Sequence, residues 1–72
     1  MTVQPTHAVS VNGEPRTLAV GTTVAALVAT MTSALKGVAV AVNEDVVPRS
    51  AWPTTVLADG DRVEVLTAVQ GG

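Results

Sequence analysis

The last six residues, Thr67-Ala68-Val69-Gln70-Gly71-Gly72, end in the group best suited to chemistry. Glycine lacks a Cβ, so a Gly-Gly tail is thin and conformationally free, and it threads a channel that any side chain would block. It presents the unhindered α-carboxylate of Gly72. That group is ionised at neutral pH. Its charge and resonance oppose nucleophilic attack, so it becomes an acyl donor only after activation, for example as a mixed anhydride with AMP. On the two glycines alone, a carboxyl loaded by a partner enzyme and a tail without a role are both open.

The rest of the composition is poor in reactive groups. The chain has no cysteine, which excludes a disulfide framework, a thiolate zinc site, an iron–sulfur cluster and a Cys nucleophile. His7 is the single histidine. Asp59 and Asp61 flank Gly60, but two carboxylates without further oxygen ligands read as a turn and not as a cation loop. No phosphate-cradling glycine loop and no Ser-His-Asp set is visible. Arg16, Lys36, Arg49 and Arg62 are scattered and the net charge is −2, so neither a basic patch nor a set of stacking aromatics is available for nucleic acid. No apolar run reaches the roughly 18–20 residues of a membrane span. The N-terminus lacks the charged and then apolar pattern of a signal peptide. A cytoplasmic location is the default expectation.

Something must hold the tail. Seventy-two residues make one domain, and 47% hydrophobic against 14% charged residues makes it a folded one. Val and Ala dominate, without Ile, Phe or Tyr. Such a core is small, aliphatic and largely built from strands. Residues 1–6 are expected to fray and residues 70–72 to form the flexible tail. His7–Asn12 alternates, with Val9 and Val11 on one face. Asn12-Gly13 is a strong hairpin signal, and Pro15–Val20 is the returning strand, with Pro15 suited to an edge. Thr22 or Thr23 caps a helix whose stripe is Val24, Leu27, Val28, Met31 and Leu35, ending at Lys36-Gly37. Val38–Val42 is a strand, with Val38, Val40 and Val42 on one face and Ala39 and Ala41 on the other. Asn43-Glu44-Asp45 is a turn, Val46-Val47 a short strand, and Ser50–Pro53 a helical turn or loop. Thr55–Leu57 pairs briefly, and Arg62–Thr67 is the last strand, with Val63 and Val65 inward. A helix following a hairpin must cross one sheet face to bury its stripe. The predicted fold is therefore α+β: a β-grasp, ubiquitin-like roll with a mixed four- to five-stranded sheet and one main helix on one face. On this plan the loaded-carboxyl reading of the tail gains weight.

In order and at this length, several pieces resemble the ubiquitin-like sulfur carriers, and most closely those of the thiamine-biosynthesis ThiS type. They are Val11-Asn12-Gly13-Glu14, Gly21-Thr22-Thr23-Val24, Val40-Ala41-Val42-Asn43, Val47-Pro48-Arg49 with Trp52, Asp59-Gly60-Asp61-Arg62-Val63 and Gln70-Gly71-Gly72. The resemblance covers about residues 8–72. It implies a carrier and not an enzyme. Gly72 would be adenylated by a ubiquitin-activating-like adenylyltransferase using Mg-ATP, and Gly71 would be the steric permission for it. A sulfur donor, ultimately a cysteine desulfurase persulfide, would leave a thiocarboxylate, and thiazole synthase would accept its sulfur. The chain itself would bind no cofactor and would be a monomer between encounters. The small subunit of molybdopterin synthase shares these features, though usually with a proline-containing stretch before its glycines. A carrier for cysteine or another sulfur-containing product, a protein modifier conjugated through Gly72 and a plain β-grasp interaction module are the other readings.

For the partner surface, Leu66 has the parity opposite to Val65 and should face outward beside the tail. Val69, Leu57 and Arg62 are the further docking candidates. Trp52 is expected to lie as a lid on the core.

Overall fold

The Asn12-Gly13 pair reverses the chain at its first turn. The computed structural model describes residues 5–32 and 36–67. Asn12 has φ +52° and Gly13 φ +84°, the two positive values of a type I′ turn. Strands β1 (Thr6–Val11) and β2 (Glu14–Ala19) flank it, with Val11 opposite Glu14 and Thr6 opposite Ala19. Thr6 is therefore paired and not frayed, and Pro5 O accepts from Val20 N at 3.2 Å. The alternation of residues 7–12 stopped one residue short because Thr6 has no apolar side chain to mark it.

The helix α1 (Val24–Met31) starts where Thr23 leaves the extended region, and the Thr23 hydroxyl accepts from Ala26 N at 3.1 Å. That bond satisfies one of the orphan amides of the first turn. The helix ends sooner than the expected Lys36-Gly37 stop. Thr32 already has extended dihedrals, φ −156° and ψ 147°. A β-branched Thr followed by Ser favours extended or turn backbone over another helical turn, and it outweighs the apolar spacing to Leu35. Leu35 itself lies outside the described residues.

Three further strands follow: β3 (Val38–Val42), β4 (Asp45–Val47) and β5 (Arg62–Thr67). The sheet order is β2-β1-β5-β3-β4, with β1 and β5 parallel and the other neighbours antiparallel. This is the mixed sheet that the pattern required, and β2, bearing Pro15, is at an edge. A 3₁₀ segment, Arg49–Thr54, follows β4. The expected pairing of Thr55–Leu57 reduces to one bridge, Val56 with Thr23, flanked by Val24 N to Thr55 O and Leu57 N to Thr22 O, both 2.9 Å. These bonds tie the start of α1 to the segment beyond the 3₁₀ turn.

The core lies between α1 and one sheet face. Val9, Val11, Val40, Val63 and Val65 come from the strands, Val24, Leu27 and Val28 from α1, and Trp52 and Leu57 from the connection. Each fully buried aliphatic side chain contributes about 1.5–3 kcal/mol of transfer free energy. Trp52 closes one side of this core, and its Nε1 donates to Val47 O at 2.9 Å, so its polar handle is satisfied.

Candidate functional site

β5 delivers the chain toward its last residues and is the innermost strand of the sheet. The register sets Leu66 opposite Ala39 and Glu64 opposite Ala41 on β3, and Ala41 in turn lies opposite Val46 on β4. Because side chains alternate along a strand, all five share the face turned away from α1. Leu66 is 67% exposed and Val46 77% exposed. Together they frame a shallow depression of ≈ 140 Å³ lined by Ala39, Val40, Ala41, Val46, Glu64 and Leu66. Two alanines between two larger aliphatics leave a concave apolar floor. It is the kind of surface a partner's apolar side chain fills.

The borders are polar. Arg62 forms an ion pair with Glu44 at 3.0 Å, both side chains largely in solvent. Glu44 is carried by the β3–β4 turn, where Asn43 and Glu44 have φ +52° and +73°. The Asn43 side chain braces that turn against β5: its Oδ1 accepts from Arg62 N at 3.0 Å and its Nδ2 donates to Asp61 Oδ1 at 2.9 Å. On the other side of β5, the Asn12 carboxamide bonds both backbone groups of Val65.

The candidates named from sequence fall into three groups. Leu66 faces outward near the end of β5, and Arg62 borders the same face. Leu57 does not belong to the surface. It is 2% exposed and packs in the core, which corrects the expectation that it docks a partner. The segment after the 3₁₀ turn crosses under the start of α1 through the Thr22 and Thr23 bonds, and that turns Leu57 inward. Val69, Gly71 and Gly72 lie outside the described residues. Ala39, Ala41 and Val46 were missed as surface elements. The alternation of β3 set the two alanines on a common face, but only the pairing of β3 with β5 brings them to Leu66.

The acidic turn is occupied by structural work. Asp59 Oδ1 accepts from Ala8 N and Asp61 Oδ2 from Ala58 N, each at 2.7 Å. These carboxylates brace the β1–β5 end of the sheet. Among the described residues no three His, Asp or Glu side chains gather where they could hold a metal ion, and no helix is long and apolar enough to cross a membrane.

One helix held across a five-stranded mixed sheet of this order, with an apolar outer face beside the strand that leads to the tail, defines a β-grasp, ubiquitin-like protein. The family model described as ThiS family matches residues 9–72. The chain belongs to the ThiS family, the sulfur carrier proteins of thiamine biosynthesis. It is 46% identical over 61 residues to the sulfur carrier protein ThiS of Thermus thermophilus, covering 85% of this chain and 94% of that one. A crystal structure of the thiamine biosynthesis protein ThiS from Geobacter metallireducens superposes with a TM-score of 0.75 at 34% identity, covering 90% of this chain and 99% of that one. A thiazole synthase of Paramagnetospirillum magneticum is 34% identical over 62 residues, which are 86% of this chain but 19% of that longer one.

Proposed function

We propose that this chain carries sulfur on the carboxyl of Gly72 and acts as a co-substrate of partner enzymes, itself catalysing nothing. An adenylyltransferase of the ubiquitin-activating type joins the Gly72 carboxylate to AMP and releases pyrophosphate from Mg-ATP. A persulfide, formed by a cysteine desulfurase, displaces AMP, and a thiol then cleaves the resulting S–S bond to leave the thiocarboxylate. Adenylation is needed because the free carboxylate is no electrophile. Thiazole synthase is the acceptor in this reading. A thiazole synthase with a ThiS-like segment in its own chain supports it, since carrier and acceptor chemistry then share one polypeptide. ATP and reduced thiols are cytoplasmic supplies, so the cytoplasm is the proposed location. The chain is a monomer between encounters, because a permanent partner on the outer face would block successive docking.

The observation that carries this reading is the apolar depression around Leu66, on the strand that leads to Gly72. A partner seated there holds the tail within reach of its active site and needs no pocket in the carrier. Intact mass of the protein from its native cell tests it. A species heavier by the difference between sulfur and oxygen, absent when Gly72 is deleted, is expected. An unmodified mass after incubation with ATP and an activating-enzyme lysate overturns it.

A further inference from the structure

β1 and β5 run parallel and bond through Ser10 N to Asp61 O at 3.0 Å and Asn12 N to Val63 O at 2.9 Å. The next rungs of that ladder would come from the peptide groups after Asn12, but the chain has turned away there. The Asn12 side chain takes their place. Its Nδ2 donates to Val65 O at 3.1 Å and its Oδ1 accepts from Val65 N at 2.8 Å. A carboxamide carries the donor and acceptor of a peptide group in one plane, so Asn12 lengthens β1 by one peptide unit on this edge. The same residue precedes Gly13. In an Asn-Gly pair the second residue's nitrogen has no neighbouring side chain to shield it from the first residue's Cγ. A Cβ at Gly13 would meet nothing within 4 Å, so the turn is also open to water.

We propose that Asn12-Gly13 is a deamidation site that the Val65 clamp holds closed, and that its conversion releases β5 from β1 at Val65 while β5 stays paired with β3. The Gly13 N–Asn12 Cγ bond forms and the Cγ–Nδ2 bond breaks. Nδ2 leaves as ammonia with the proton from Gly13 N. Water then opens the five-membered succinimide at either carbonyl, giving aspartate or isoaspartate. One water is consumed and one ammonia released, with no other reactant. While the carboxamide holds both Val65 groups, Cγ is kept from Gly13 N, so the rate follows local opening of β5. The product carboxylate is acceptor-only at neutral pH and faces the Val65 carbonyl without a proton to give it. Isoaspartate also adds a methylene to the turn. Either product withdraws support from β5 one residue before Leu66.

The test incubates the full chain in mildly alkaline buffer beside a peptide of residues 9–16. It follows the mass gain of amide-to-acid conversion and isoaspartate by enzymatic methylation. Conversion at Asn12 is expected to be at least about tenfold slower in the folded chain and to approach the peptide rate in guanidinium just below the unfolding transition. Equal rates in chain and peptide overturn the clamp, and no conversion in the chain under either condition overturns the site. The converted species is then separated by anion exchange. Faster hydrogen exchange at the Val65 amide is expected, and unchanged exchange overturns the release of β5. Offered to the activating enzyme, the converted species should show a raised KM; this last readout alone rests on the proposed loading of Gly72. If the unmodified chain is not loaded at all, that loading fails, and the exchange result still decides the clamp.

Discussion

Leu66 stands directly opposite Ala39 on the outer face of the sheet, while its neighbour Val65 stands opposite Val40 on the face packed against α1. One step along β5 thus separates a core residue, 5% exposed, from a surface residue, 67% exposed. Core packing and surface exposure are divided between adjacent side chains.

Leu66→Asp should leave the fold intact and remove the docking. The side chain lies in solvent, so a change of no more than about 0.5 kcal/mol in stability is expected. A charge placed on the apolar floor should weaken the complex with the activating enzyme by at least about tenfold, which is about 1.4 kcal/mol. Thermal unfolding and titration calorimetry on one preparation check both halves. Unchanged affinity would move the docking surface elsewhere.

Leu57→Ala should behave in the opposite way. Emptying a fully buried leucine site costs about 2–5 kcal/mol, a large share of the stability of a domain this small. A lower urea midpoint at constant slope is the expected result. Surface-like tolerance at this position would contradict its place in the core.

Thr23→Ala should cost about 1 kcal/mol through loss of the bond to Ala26 N, and Thr23→Ser should keep most of it. The pair separates the hydroxyl's cap from the methyl's packing. Equal destabilisation by both substitutions would assign the effect to the methyl.

Arg62→Ala should change stability by less than about 1 kcal/mol, because its ion pair with Glu44 is mostly in solvent and screened by salt. Measured in low and high salt, the difference between wild type and variant should shrink as salt rises. A large, salt-independent loss would show that the arginine stem packs on the sheet and that the pair is secondary.

The local elements were legible because their signals span only a few residues. Asn12-Gly13 announces two positive φ values, and the Val/Ala alternation of β3 reports its two faces. The β3–β4 turn hid its geometry, since Asn43-Glu44 adopts the same positive φ pair without the glycine that usually marks it. The end of α1 was misread for a related reason. An apolar spacing that reaches Leu35 says which face would be buried, but not whether Thr32 stays helical.

The sequence by itself determined the parity of β1, β3 and β5, the first hairpin, a helix start at Thr22 or Thr23 and the outward side of Leu66. Each depends on backbone preferences and on the periods of two and 3.6 residues, which act between near neighbours. Only the tertiary structure decided which strands lie side by side. That choice set Ala39, Ala41 and Val46 beside Leu66, turned Leu57 inward, and brought Asn12 to Val65 across 53 residues of chain. Strand order is settled by burying one common core with every backbone group paired, a balance over the whole chain that no short stretch contains.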